Sequence, residues 1–182
     1  AAMIRKVQSA LGERSFPAEL LFARRLQGRA CLGFRETTNL PVSRLSDQLR
    51  TLLKEEAGLT LEPGLEAMSP GMFRQCISLQ EVELPDSLQE LPSGVFRDCS
   101  AITALHIPGT VQRIGASAFR GCVSLETVAI SLGTAEIGAF AFAGNPALRE
   151  VVIPHSLKRL GFGAFGLGRS KEKIILLVDN EY

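Results

Sequence analysis

IPGTVQRIGASAFRGCVSLETVAI, residues 107–130, holds one full period of this chain and decides its fold. Leu125, Val128 and Ile130 follow an L-x-x-V-x-I pattern. Val128 and Ile130 lie two apart, the spacing of a half-buried strand. Ile107 ends the equivalent strand one period earlier. Pro108 stops its ladder there, because proline has no N–H to donate. Val111 and Ile114, three apart, mark a return side. Gly115 suits a tight turn. Ala118 and Phe119 then predict a short helical or 3₁₀ turn that points inward.

Outward from this stretch the same order recurs every 23 residues. Phe73, Phe96, Phe119, Phe142 and Phe165 are evenly spaced. Cys76, Cys99, Cys122 and then Asn145 stand three residues after the first four. Leu79, Ile102, Leu125 and Leu148 come six after; Val82, Leu105, Val128 and Val151 come nine after. Leu84, Ile107, Ile130 and Ile153 close each strand. Pro85, Pro108 and Pro154 follow, with Ser131 in the fourth place. Such a repeat overrides local readings, since no unit can bury its apolar side alone and stacked units share one core. Leu59 and Leu61 fall in register before the first clear copy, and Ile174 and Leu176 after the last. This predicts about six stacked parallel strands over residues 58–182.

The unit resembles the BspA-like, Treponema-type class of leucine-rich repeats. The resemblance rests on Ile107-Pro108, Val111 and Ile114, Gly115, Ala118-Phe119, Cys122 and Leu125, and it covers about residues 58–178. It implies an α/β right-handed solenoid, with a parallel β-sheet on one face and short helical or 3₁₀ turns on the other. It also implies protein–protein interaction, and many relatives look like bacterial surface proteins or adhesins. The family shares no catalytic residues to carry over. The chain departs from the pattern at Ser131 for proline, Thr134 for valine and Asn145 for cysteine.

Residues 1–57 do not follow the period. Val42, Leu45, Leu49, Leu52 and Leu53 fit one helix face, with Pro41 in its first turn. Ile4, Val7 and Leu11 suggest a second helix, and Pro17 a third through AELLFARRLQ. The segment reads as a helical N-terminal cap over the first coil's open edge, or as a small separate domain. The opening AAMIRKVQSALGERSF has basic residues but no apolar core behind them, so no secretion signal is expected there. Ala1-Ala2 before Met3 fits a tag scar or an excised fragment.

Charge and chemistry narrow the function classes. With 20 basic and 19 acidic residues, the whole chain gives no electrostatic case for nucleic acid. No apolar run reaches the ~18 residues of a membrane span. The three repeat cysteines fall into one ladder, where zinc would need converging ligands. They read as free, buried thiols acting as small hydrophobes. Gly161 to Gly166 spell G-x-G-x-x-G, but Gly161, Ala164 and Phe165 are the repeat's own residues. No cofactor is expected. IILLVDNEY, residues 174–182, reads as a closing strand. His106 and His155 are the two histidines, and no hydrolase or metalloprotease motif accompanies them. The chain reads as non-enzymatic.

The strand residues between the inward ones face outward, on the sheet's concave side. They are Gln80, Glu81, Glu83, Thr103, Ala104, His106, Glu126, Thr127, Ala129, Arg149, Glu150 and Val152. The candidate binding face is Glu81, Glu83, Ala104, His106, Thr127, Ala129, Glu150 and Val152. The leading expectation is a module that binds a protein partner, as part of a bacterial cell-surface protein or adhesin. A structural spacer and a cytosolic regulatory module are the alternatives.

Overall fold

The structure is a computed structural model. It describes residues 57–61, 65 and 67–166, and the backbone of strands at 18–26, 29–36 and 175–179. Among these residues the strands are β1 (Ala18–Leu26), β2 (Arg29–Glu36), β3 (Gly58–Leu61), β4 (Glu81–Glu83), β5 (Glu90–Leu91), β6 (Ala104–Ile107), β7 (Arg113–Ile114), β8 (Thr127–Ile130), β9 (Glu136–Ile137), β10 (Glu150–Pro154), β11 (Arg159–Leu160) and β12 (Ile175–Asp179). They form three hydrogen-bonded sheets, β1-β2-β3-β4, β12-β10-β8-β6 and β11-β9-β7-β5. All pairs are parallel except β1 with β2. Each coil thus contributes one strand to the broad face and a two-residue strand to the return side.

Register is kept to the residue. Leu105 pairs with Val128, and Val128 with Val151, so from β6 to β10 each inward column repeats every 23 positions. The closing strand departs from this: Leu176 lies beside Val151 and Val178 beside Ile153, so these residues, two positions past the expected Ile174 and Leu176, continue the columns. The apolar columns fill one continuous core. Phe73, Phe96, Phe119 and Phe142 are fully buried within it. Their rings run nearly parallel, 4–11° apart, at centroid separations of 5.2–5.4 Å. The strand spacing of ~4.8 Å fixes that rise. It exceeds the roughly 3.5–4.0 Å of direct carbon contact, so the rings stack with a sideways slip.

The expected helical turns are not formed: among the described residues there is no helix. The reason lies in where the amides go. Met72 N–H donates to Ser69 O in its own coil, but Phe73 N–H donates to Val95 O in the next. Arg74 then bonds inward to Gly71, Gln75 outward to Arg97, and Cys76 inward to Phe73. A helix would keep every one of these donors inside its own segment. Two left-handed residues per coil enforce the alternation. They are Gly71, Gly94, Ser117, Phe140 and Gly163 before the phenylalanine, and Gln75, Asp98, Gly121 and Gly144 after it.

Gly115 is needed for a reason other than the turn foreseen for it. A Cβ there would sit 2.6–2.8 Å from the backbone of Leu91, Pro92 and Ser93, so the coils could not approach. On the return sheet an alternating charge column runs beside the core. Arg113 pairs with Glu90 at 2.6 Å, Arg159 pairs with Glu136, and Arg113 lies in register with Glu136.

The N-terminal reading needs a larger correction. AELLFARRL is strand β1, hairpinned to β2 with Leu26 opposite Arg29, where a helix was expected. β2 in turn lies parallel to β3, Arg29 beside Gly58 and Leu32 beside Leu61. Non-local pairing has overridden a weak local preference. Gly28, between two runs able to pair, was the overlooked signal for a two-residue hairpin connection. The helices expected around Ile4–Leu11 and Val42–Leu53 lie outside the described residues.

Two outcomes follow from this architecture. Phe119, wedged between Phe96 and Phe142, is expected to cost about 3–5 kcal/mol when replaced by alanine. Chemical denaturation measures it, and a variant as stable as the parent would refute the ladder. If the hairpin shields the sheet, deleting residues 1–57 bares the β3 edge and promotes association. Light scattering of the truncated chain reads this directly; a monomer as stable as the parent would assign the hairpin another role.

Candidate functional site

The broad face presents its outward side chains in columns, because strand residues two apart share a side. In one column Ala104 lies beside Thr127, and Thr127 beside Glu150. In the next, His106 lies beside Ala129, and Ala129 beside Val152. These six of the eight candidates therefore share one hydrogen-bonded sheet. Glu81 and Glu83 lie on β4, whose ladder runs the other way, to Gly58 and Thr60 of β3. Between β4 and β6 a hydrogen bond from Thr103 N–H to Gln80 O, 3.4 Å, spans the gap.

Seven of the candidates, all but Glu83, line one open concavity of ≈ 560 Å³ together with Gln80 and Thr103. Glu83 accepts a hydrogen bond from Thr60 Oγ1 at 2.8 Å. At the strand entrances Arg149 pairs with Glu126. The floor is shallow, since Ala104, Thr127 and Ala129 are short. Charge is gathered at its margins, at Glu81 on one side and at Glu150 with the Glu126–Arg149 pair on the other. Such a surface offers ordered side chains on a fixed backbone grid and no deep cavity for a small molecule. Sequence reasoning did not foresee that β2 widens the sheet, bringing Arg29 and Cys31 into register with Gly58 and Thr60.

Chemistry elsewhere is sparse. His106 Nε2 lies 3.5 Å from Ser131 Oγ, at the limit of a hydrogen bond and in solvent. A nucleophile–base pair needs a third group to orient the ring. Among the described residues no three His, Cys, Asp or Glu side chains are grouped to hold a metal ion. Nor is any helix there long and apolar enough to cross a membrane.

Cys76, Cys99 and Cys122 are free and buried. Cys99 Sγ donates to Phe73 O at 3.0 Å, and Cys122 Sγ to Phe96 O at 3.3 Å. The neighbouring Cys76 thiol, then burial, hold the Cys99 pKa well above the usual range. Burial pushes Cys122 up to about 12. Cys99 and Cys122 thus tie coils together and are poor nucleophiles, because the thiolate is the reactive form.

The sequence profile of the BspA-type leucine-rich repeat region matches residues 57–171 in six copies. No curated protein matches the chain in sequence. Among solved structures, a leucine-rich repeat protein of Bacteroides ovatus is similar, at 20% identity and a TM-score of 0.58. The match covers 82% of this chain and 43% of that one. The pneumococcal vaccine antigen PcpA is similar at 20% identity and a TM-score of 0.53, over 70% of this chain and 37% of its own. This chain thus spans less than half the length of either, and at such identity the likeness is one of fold.

The raised thiol pKa values carry a pH signature. In the unfolded chain a cysteine ionises near pH ~8.5. Folded Cys122 keeps its proton up to about 12. The unfolded state therefore sheds its proton first. This contribution to stability is full below the unfolded pKa and is lost as pH climbs toward 12. Melting temperatures from pH 7 to 10.5 should fall less steeply in Cys122→Ala than in the parent. In native protein at pH 7.5 the three thiols should react with maleimide only slowly. Equal slopes together with fast labelling would contradict the buried ladder.

Proposed function

From the premise that the chain belongs to the BspA-type leucine-rich repeat family, we propose that it is a non-enzymatic protein-interaction module that docks its partner on the concave sheet. The observation that carries this reading is the pair of outward columns, Ala104–Thr127–Glu150 and His106–Ala129–Val152, held in unbroken register on one sheet. A partner there meets preordered side chains and loses less entropy on docking. The small, weakly apolar centre around Ala104, Thr127 and Ala129 can be desolvated, while Glu81, Glu83 and Glu150 form a charged rim. Display at a bacterial surface is the setting that the family resemblance implies, and adhesion is the finer form of this proposal.

Central and rim positions differ in what they control. Ala129→Arg overfills the centre and should weaken binding at least tenfold. Glu83→Lys should mainly alter the association rate, more so at low salt, where screening is weakest. Both positions face outward, so both variants should melt like the parent. Affinity capture with the immobilised chain, followed by kinetics on whatever the parent retains, tests the reading. A protein held equally by Ala129→Arg but lost by the turn-side variant Arg97→Ala would move the site off the sheet.

A further inference from the structure

The turn side carries a second feature, which the repeat does not require. One column before the buried phenylalanines, most coils have glycine in the left-handed conformation, at Gly71, Gly94 and Gly163. The fourth coil has Phe140 there, with φ +57 and 39% of its surface exposed. A bulky side chain in that conformation is a true outlier, and such strain persists only where the surroundings impose it. Next to it in the following coil stands Phe162, where earlier coils have Pro70, Ser93, Ala116 and Ala139. Phe162 is 82% exposed, the most exposed large apolar side chain among the described residues. The two rings meet edge to face, with centroids 5.6 Å apart and an angle of 84° between planes.

Arg120, from the coil on the other side, lies over the Phe140 ring at 5.8 Å. Among the described residues it has no carboxylate partner. Asp98, the nearby acid of the adjoining coil, faces Arg74 and Arg97 instead. The ring also has ground prepared beneath it, since a Cβ on Gly163 would come within 2.8 Å of Phe140. Three successive coils thus place a guanidinium, a strained ring and an exposed ring in one row. Phe162 belongs to the last coil described, and beneath it Phe140 keeps 39% of its surface exposed.

We propose that Arg120, Phe140 and Phe162 form a second docking site, away from the concave sheet, for an acidic segment of a partner protein with an apolar side chain beside its carboxylates. The rings take the apolar side chain, and Arg120, oriented by the Phe140 face, takes a carboxylate in a two-pronged hydrogen bond. Arginine and large aromatic side chains are the types enriched among binding anchors. Charge complementarity selects an acidic segment over a basic one.

The test uses the intact chain, labelled with ¹⁵N and titrated with three peptides: Ac-DEFDE-NH₂, Ac-KRFKR-NH₂ and Ac-DEGDE-NH₂. Shift changes centred on Arg120, Phe140 and Phe162, produced by the first peptide alone, are expected. Phe162→Ser and Arg120→Gln should each weaken that binding at least tenfold, while Ala129→Arg should leave it unchanged. Phe140→Gly gives this coil the residue of Gly71, Gly94 and Gly163; the remaining coil has Ser117 in the same left-handed conformation. The substitution should abolish binding yet raise the melting temperature by about 2–4 °C, because strain that serves binding is released. A fall in melting temperature for Phe140→Gly would make the ring structural and overturn the proposal. Equal binding of the basic peptide, no localised shifts at millimolar peptide, or self-association that Phe162→Ser removes would do so too. The last outcome would name a second copy of the chain as the occupant.

Discussion

Hydrogen bonds from one coil to the next, made at the turn as well as along the strands, set the terms for everything else in this molecule. Phe73 N–H reaches Val95 O and Phe96 N–H reaches Ala118 O, just as Leu105 is paired with Val128 on the sheet. From β6 to β10, where both sides of the coil are tied to the neighbour, a coil longer or shorter than 23 residues would break one tie or the other. A column of identical positions is the result. Whatever property a position has, burial, charge or backbone conformation, is handed to the same position in the next coil.

Columns also explain the sequence departures. Asn145 stands where the ladder has cysteine, and its Nδ2 donates to Phe119 O at 3.1 Å, the bond that Cys122 Sγ makes to Phe96 O. Thr134, buried in a column of Leu88 and Val111, donates to Val111 O at 2.7 Å. Ser131 restores an N–H that proline lacks, and that N–H bonds Ile107 O at 3.0 Å. Each replacement supplies a donor to a carbonyl of the preceding coil, although the Asn145 Oδ1 beside its bonded Nδ2 is buried without a partner.

Much of this was legible in the chain itself. The period of Phe73 to Phe165 disclosed the stacking, and the two-residue spacing of Val82 and Leu84, Leu105 and Ile107, and Val128 and Ile130 disclosed which strand face is buried. Those signals are local or strictly periodic. The turn around Ala118-Phe119 was misread because helix and alternating turn bury the same side chains and differ only in where their amides point. AELLFARRLQ was misread as helix because its strand is fixed by pairing with β2, which in turn lies against β3, more than twenty residues away. At the candidate site, the outward columns could be read from the alternation. Their division between two ladders at β4 and β6 could not. Phe140 and Phe162 were visible as interruptions of small-residue columns, but their meaning needed the left-handed backbone and the exposed rings.

The column Glu90, Arg113, Glu136, Arg159 makes the coils countable. Each member has opposite charge to its neighbour, and like charges set side by side in an in-register ladder repel. Deleting a single coil from the interior would set glutamate against glutamate or arginine against arginine. Deleting two would leave the alternation intact. Apolar columns are indifferent to how many coils are present, since any layer fits on any other; the charged column distinguishes odd from even. Lengthening or shortening of this solenoid is therefore easier in steps of 46 residues than in steps of 23, and shuffling between copies is biased toward pairs.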